Sequence, residues 1–191
     1  AQNSISSLQN TYKIGVYGSE FDVHITRDGE VVVFHDDDVE GIKIENANYA
    51  DIKDKRLKNG ERIPKLQEYL AAAKSLGNMK LILEVKEHIQ KVSDIFLTEV
   101  NVDYIVQHAP KSKVSYLNGD LSPREAKEAG YAGIDYEDSV YIDHPSWIKE
   151  ARQLGLVTNV WTVNDLKEIK YFFRQGIDYV TTNEPEKAKA L

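Results

Sequence analysis

Amphipathic stretches alternate along the chain with short runs rich in β-branched and aromatic residues, and a glycine separates most of these pairs. Helical periodicity predicts helices over residues 4–14, 66–76, 122–129, 145–154 and 164–175. The β-rich runs predict strands over residues 18–23, 81–86, 114–117, 133–136, 157–163 and 178–182, with a seventh candidate at 95–98. Strands that alternate with helices at this spacing indicate a parallel sheet covered by helices.

Residues 21–36 interrupt this alternation, because two β-rich runs flank the dipeptide Asp28-Gly29. Asp-Gly between such runs is a strong local signal for a β-hairpin. We therefore expect a hairpin extension at 21–36, whose return arm is not one of the parallel strands. Folding back at this turn is expected to bring His35 near Asp22.

The predicted fold class is α/β, and the predicted architecture is a single-domain (β/α)8 TIM barrel over residues 1–191. Such a barrel needs eight strands and runs to about 250 residues, with about 200 as the low end. The chain is one strand short of that number. A parallel crossover also needs about a dozen residues, whereas only residues 87–94 separate two of the predicted strands. We therefore expect the natural protein to have further residues before Ala1, which would supply the first strand, and near residues 87–90.

Composition and charge mainly exclude certain classes of partner and of metal ligand. The chain has 24 basic and 31 acidic side chains and a formal net charge of −7, which argues against nucleic acid as a partner. No apolar run approaches the roughly 18 residues that a membrane span needs, so we expect no stable membrane insertion. The chain contains 0 cysteines, so any metal must be bound by oxygen or imidazole ligands.

Acidic side chains occur near the carboxyl ends of two predicted strands. Residues two apart in a strand share a face, so Glu20 projects with Asp22, and Glu84 projects with Lys86. Barrel enzymes place their active sites at this end of the strands, and three converging carboxylates suit one divalent metal ion, Mg²⁺ or Ca²⁺. In the alternative interpretation each acid faces solvent or pairs with a nearby lysine. Lys86 is then the salt-bridge partner of Glu84 rather than a phosphate ligand.

His35 and Trp161 are the other candidates for a functional role. An imidazole titrates near neutral pH, so His35, returned by the hairpin beside a metal cluster, suits general acid or base catalysis. Alternatively, His35 simply ends its strand and hydrogen-bonds a loop. Trp161 either covers a ligand site or belongs to the core. The remaining histidines receive no catalytic assignment; they are His24, His88, His108 and His144. His24 is expected to face away from Asp22.

Four segments resemble, in order, motifs of the glycerophosphodiester phosphodiesterase family: SEFDVHITRDG (19–29), VVVFHD (31–36), LILEVK (81–86) and VWTVN (160–164). The resemblance covers nearly the whole chain. It implies a TIM-barrel enzyme, a phosphoric diester hydrolase, that converts small glycerophosphodiesters to glycerol 3-phosphate and an alcohol with a divalent metal. It also implies a small cap insertion, which we expect at residues 37–63.

Position by position, the resemblance also assigns roles to residues of this chain. Glu20, Asp22 and Glu84 fall on the metal ligands, His35 on one of two catalytic histidines, and Lys86 on a lysine that contacts phosphate. We assign Lys86 and Trp161 to substrate binding. In the implied mechanism, one histidine deprotonates the nucleophile, a glycerol hydroxyl or water, while the other protonates the leaving oxygen.

The second catalytic histidine of the family lies in a His-Arg-Gly motif, which the chain lacks. Ala1-Gln2-Asn3-Ser4 resembles the Pro-Glu-Asn-Thr stretch that follows this motif, so we expect the motif upstream of Ala1. Two alternatives stay open: a catalytically impaired barrel that binds a phosphorylated ligand, and a phospholipase-type phosphodiesterase, which the acidic total disfavours. An extracytoplasmic location is favoured over a cytoplasmic one. Neither the released alcohol nor the oligomeric state follows from the sequence.

Overall fold

The computed structural model describes residues 1–77, 79–85 and 115–191, which fall in two compact units, Ala1–His88 and Ile89–Leu191. The candidate strand at 95–98, the short connection at 87–94 and Lys86 lie outside the described residues. The single-domain organisation stays a prediction. No helix within the described ranges is both long enough and apolar enough to cross a bilayer.

The first unit is built around one central strand. Its elements, in chain order, are α1 (Ile5–Ile14), β1 (Gly18–Ile25), β2 (Val31–Val33), β3 (Asp38–Val39), β4 (Ile42–Lys43), a 3₁₀ turn (Ile44–Asn46), α2 (Tyr49–Ile52), α3 (Leu66–Ser75) and β5 (Lys80–Val85). β1 pairs in parallel with β5 on one edge and antiparallel with β2 on the other. The predicted helices and strands of this unit and the hairpin are confirmed, with small shifts at their ends.

The hairpin between β1 and β2 is closed by local hydrogen bonds. The Thr26 amide donates to the Glu30 carbonyl at 2.9 Å, and the Gly29 amide donates to the Thr26 carbonyl at 2.8 Å. Gly29 adopts φ 84°, a left-handed conformation that costs glycine little because it has no Cβ. The Asp28 carboxylate accepts from the Thr26 hydroxyl at 2.6 Å and from the Tyr49 amide at 2.9 Å. These contacts fix the turn that returns the chain alongside β1.

The two faces of β1 carry different side chains. Phe21 is buried and its ring stacks on Tyr69 of α3, with ring centroids 4.7 Å apart and an interplanar angle of 28°. Side chains alternate between faces along a strand, so Glu20 and Asp22 project from the face opposite Phe21. Packing against α3 therefore uses one face of β1 and leaves the other to the acids.

Residues 37–63, where the resemblance places an insertion, contain β3, β4, the 3₁₀ turn and α2. They pack with β2 around an apolar cluster of buried residues: Val32, Val39, Ile44, Ala47, Ile52, Leu57 and Ile63. Hydrogen bonds join this segment to the start of α1, from the Ser6 amide to Glu61 at 3.4 Å and from the Asn59 amide group to the Ser6 hydroxyl at 3.1 Å. The segment is thus a small apolar core held against the helix.

The second unit contains a parallel sheet whose strands follow chain order. Its described elements are β6 (Ser115–Tyr116), α4 (Pro123–Glu128), β7 (Gly133–Glu137), α5 (Asp138–Asp143), α6 (Trp147–Gln153), β8 (Val157–Trp161), α7 (Leu166–Gln175), β9 (Tyr179–Val180) and α8 (Pro185–Lys189). The order β6-β7-β8-β9 confirms the predicted strand-helix alternation in this range. β8 and β9 are shorter than the predicted runs 157–163 and 178–182.

Helix ends in the second unit follow the sequence signals. The Glu125 carboxylate accepts from the Ser122 amide at 2.8 Å, which completes the capping box expected at the start of α4. At α7, the Asp165 carboxylate accepts from the amides of Lys167 and Glu168. α7 ends at Gly176, whose φ of 88° gives the left-handed cap that its position predicts.

Candidate metal and catalytic site

Three carboxylates converge on the pair of strands β1 and β5. Asp22 lies directly opposite Glu84 in the parallel register, and Glu20 lies two residues before Asp22 on the same face of β1. One oxygen from each of the three carboxylates lies within 4.8 Å of the other two. Asp22 is buried, with 3% of its surface exposed, whereas Glu84 is half-buried. The convergence expected from the sequence is therefore present in the structure.

The carboxylate of Asp22 is held by a residue from outside the sheet. Asn3 precedes α1, and its Nδ2 donates to Asp22 Oδ2 at 2.8 Å while its Oδ1 accepts from the Asp22 amide at 3.0 Å. Asn3 is itself buried, with 7% of its surface exposed. Residues 1–4 resemble a family motif, but no spacing rule in the sequence indicates that Asn3 contacts Asp22. Sequence reasoning missed this residue.

A neutral tyrosine lies on the other side of β1 from these acids. Burial raises the pKa of Tyr69 to about 12, and the negative charges of Glu20 and Asp22 add to the rise, although a hydrogen bond with Ser19 acts in the opposite direction. The phenol therefore stays protonated at neutral pH. β1, which carries the acids, therefore packs against an uncharged side chain.

His35 follows directly after the last contact between the two arms of the hairpin. The Phe34 amide donates to the Asp22 carbonyl at 3.1 Å, so the backbone that leads into His35 runs beside Asp22. The imidazole is about half exposed, and its Nδ1 lies 2.7 Å from Asp36 Oδ1. With the proton on Nδ1 donated to Asp36, Nε2 presents a free lone pair. The catalytic assignment of His35 stays a prediction.

His24 is a second histidine beside the acids. It lies two residues after Asp22 in β1, and this spacing places it on the same face of the strand. The side chain is buried, with 6% of its surface exposed, and its Nε2 has no hydrogen-bond partner among the described residues. The expectation that His24 faces away from Asp22 is therefore wrong, because residues two apart in a strand share a face.

Trp161 ends β8 in the second unit. Its Nε1 donates to the Asp135 carbonyl at 2.9 Å, which fixes the orientation of the half-buried indole. On the same face, the Asn159 side chain donates to Asp135 Oδ1 at 2.7 Å and to the Thr181 hydroxyl at 2.9 Å. The tryptophan is thus held by polar contacts rather than by apolar packing alone. Its role in substrate binding, like that of Lys86, stays a prediction.

Comparisons with known proteins cover almost the entire chain. The sequence profile described as "Glycerophosphoryl diester phosphodiesterase family" matches residues 1–109 and 103–187. A crystal structure of a glycerophosphodiester phosphodiesterase from Parabacteroides distasonis is 40% identical, with a TM-score of 0.87, and the match covers 100% of this chain and 89% of that one. The chain belongs to the glycerophosphoryl diester phosphodiesterase family.

Two further proteins that the chain resembles are more distant. The glycerophosphodiester phosphodiesterase of Caldanaerobacter subterraneus subsp. tengcongensis is 22% identical over 97% of this chain and 89% of its own length. A phosphodiesterase from Oleispira antarctica, solved in complex with the product sn-glycerol-3-phosphate, is 20% identical with a TM-score of 0.81, over 98% of this chain and 90% of that chain. At this level of identity, the Oleispira structure shows a shared fold.

Family membership confirms two predictions about the chain. Its fold class is α/β, and its fold is that of the TIM-barrel structures it matches. The chain is an enzyme of the phosphoric diester hydrolase class. The family to which it belongs acts on glycerophosphodiesters. The expected extracytoplasmic location stays a prediction.

Proposed function

We propose that this chain hydrolyses small glycerophosphodiesters to glycerol 3-phosphate and an alcohol, with one divalent cation, Mg²⁺ or Ca²⁺, held by Glu20, Asp22 and Glu84. The observation that carries the proposal is the approach of three carboxylate oxygens to within 4.8 Å of one another on adjacent parallel strands. Product binding by the Oleispira protein supports glycerol 3-phosphate as the product here.

The donor set fits a hard cation. Mg²⁺ and Ca²⁺ prefer oxygen ligands, and all three side chains supply carboxylates. Like charges at this separation repel one another, and the repulsion is stronger where a carboxylate is buried, as Asp22 is. A divalent cation offsets that repulsion, so the cluster is a reasonable binding site rather than an accidental group of surface acids.

Each side chain of the proposed site has a distinct task in the reaction. A bound divalent cation supplies a Lewis acid that neutralises the phosphate oxygens and orients the diester. His35 transfers a proton as general acid or base, and Asp36 fixes its tautomer through Nδ1. The nucleophile is a glycerol hydroxyl, which would give a cyclic phosphate, or water. The second proton transfer would fall to the other catalytic histidine that the family resemblance implies.

Lys86 and Trp161 complete the proposal as substrate-binding residues. Lys86 immediately follows β5, two residues after Glu84, and would add positive charge against the phosphate. Trp161 would offer its indole to the apolar surface of the substrate. Both assignments rest on the resemblance of LILEVK and VWTVN to family motifs.

The test is metal-dependent release of glycerol 3-phosphate from glycerophosphocholine by the full-length natural protein. We expect turnover with Mg²⁺ or Ca²⁺, loss of turnover after treatment with EDTA, and recovery when the metal is restored. An Asp22→Asn variant should lose turnover and metal binding together. Hydrolysis that persists in EDTA would reject the metal assignment, and binding of glycerophosphocholine without hydrolysis would favour the catalytically impaired alternative.

A further inference from the structure

We propose that Asn3 is a positioning residue that presents the Asp22 carboxylate to the divalent cation. The inference rests on the proposed function, because it assumes that Asp22 is a metal ligand. Asn3 itself is not a ligand in this proposal. It acts through Asp22, and its expected effect is on metal affinity.

Asn3 contacts Asp22 at both ends of the side-chain amide. Nδ2 donates to Asp22 Oδ2 at 2.8 Å, and Oδ1 accepts from the Asp22 amide at 3.0 Å. The first bond orients the carboxylate, and the second aligns the asparagine with the backbone of β1. A carboxylate has about four lone-pair sites, and the amide of Asn3 occupies one of them.

The backbone of Asn3 is suited to this contact. Its φ of 61° lies in the left-handed region, which asparagine adopts more readily than most other residues. The next residue, Ser4, caps α1 by accepting from the Ser7 amide at 3.0 Å, and its hydroxyl donates to the Ala1 carbonyl at 2.7 Å. The hydrogen bonds of Ser4 therefore hold the backbone on both sides of Asn3. The Asn3 side chain is thus already in position before a cation binds.

Such a contact is expected to matter for metal affinity. A buried carboxylate that can rotate must lose that freedom on binding an ion, whereas one already held by a donor does not. Asp22 is buried, and the other two ligands approach it from β1 and β5. Residues that orient metal ligands typically change metal affinity or activity by about 10 to 100-fold when they are replaced.

The test compares Ca²⁺ and Mg²⁺ dissociation constants, measured by isothermal titration calorimetry on the full-length natural protein. Asn3→Gly removes the side chain while tolerating the positive φ, and Asn3→Ala removes it in a stiffer backbone. Both variants should bind the metal about 10 to 100-fold more weakly. Thr11→Ala is the matched control, because it removes the hydrogen bond from the Thr11 hydroxyl to the Ser7 carbonyl within α1, away from Asn3 and Asp22, and its dissociation constant should stay at the wild-type value. Circular dichroism establishes that each protein is folded at the temperature of the titration.

The outcomes separate this inference from the proposed function. If Asp22→Asn abolishes metal binding while Asn3→Gly and Asn3→Ala bind as tightly as wild type, the positioning role is rejected and the metal site stands. An equal loss of affinity in Thr11→Ala also rejects it, because the effect would then come from a general weakening of α1. If the wild-type protein binds neither ion, the proposed metal site fails, and this inference fails with it.

Discussion

Asp22 and Glu84 face each other directly across the parallel pair of strands β1 and β5. Neighbouring strands lie about 4.8 Å apart, so two carboxylates in this register are held near each other by the backbone itself. Glu20, one step back along β1, brings the third oxygen into the same group. The register of one strand pair therefore creates the candidate metal site.

Replacement of Glu84 by glutamine should weaken metal binding and activity together, because a neutral amide is a poorer ligand than a carboxylate. We expect the dissociation constant for Mg²⁺ or Ca²⁺ to rise by about tenfold or more. Glu45→Gln, which changes an exposed glutamate in the 3₁₀ turn, is the matched control for the change in net charge. Calorimetric titration measures the dissociation constants of both variants, and an unchanged affinity in Glu84→Gln would contradict the ligand assignment.

Replacement of His35 by alanine should lower kcat while leaving metal affinity intact, since the imidazole is assigned to proton transfer. General acid or base catalysis typically contributes about 10² to 10⁴-fold, which sets the expected loss of rate. His144→Ala serves as the control, because that imidazole lies in the second unit and is not assigned to proton transfer. Its ring stacks on Trp147, with ring centroids 4.0 Å apart. Release of glycerol 3-phosphate at saturating substrate gives kcat for each protein, and wild-type turnover in His35→Ala would remove this residue from the mechanism.

Gly18→Ala should destabilise the pairing that holds the three acids together. A Cβ atom at Gly18 would lie 2.7 Å from the Lys80 carbonyl oxygen and 2.6 Å from the end of the Ile82 side chain. The carbonyl belongs to the β5 backbone and cannot move aside without disturbing the sheet. Overpacking of this kind typically costs about 1–3 kcal/mol. Urea unfolding of wild type and variant measures the difference, and an unchanged midpoint would mean that the strands accommodate the methyl group.

The hairpin turn should contribute a pH-dependent part of the stability. Hydrogen bonds from the Thr26 hydroxyl and the Tyr49 amide hold the pKa of Asp28 below its usual range. Because the pKa is lower in the folded state than in the unfolded chain, the carboxylate stabilises the fold at neutral pH. This contribution decreases as the pH falls below about 4 and is lost once the pH passes below the folded-state pKa.

Asp28→Asn tests this dependence, because the neutral amide oxygen is a weaker acceptor in the same place. The variant should be less stable than wild type at pH 7, and the difference should shrink on acidification. Urea unfolding at a series of pH values measures both proteins. A difference that grows as the pH falls would have the wrong sign and would exclude this role for Asp28.

Features governed by local signals could be predicted from the sequence. Asp28-Gly29 marks the turn of the hairpin, and the capping box at Ser122 marks the start of α4. The period of two along strands placed Glu20 with Asp22, and the parallel pairing of two strands brought Glu84 to them. Each of these inferences needs only neighbouring residues or a repeating unit, so a single sequence is sufficient.

Contacts between distant residues without a repeating pattern could not be predicted. The bond from Asn3 to Asp22 joins residues 19 positions apart, and the bond from Trp161 to the Asp135 carbonyl joins residues 26 positions apart. Both depend on how a loop or a strand end is placed in three dimensions. The ends of β8 and β9 were misjudged because β-branched residues continue beyond both strands, and the Val163 amide still donates to the Thr181 carbonyl at 3.0 Å.

The segment 37–63 shares an apolar cluster with Val32 of β2, and none of the three carboxylates belongs to that cluster. The candidate metal site and the apolar cluster are thus built from different residues of the first unit. Changes on the exposed loops of this segment should therefore leave the register of β1 and β5 unaltered. In such an architecture, a loop can be exchanged by grafting while the carboxylate geometry stays the same.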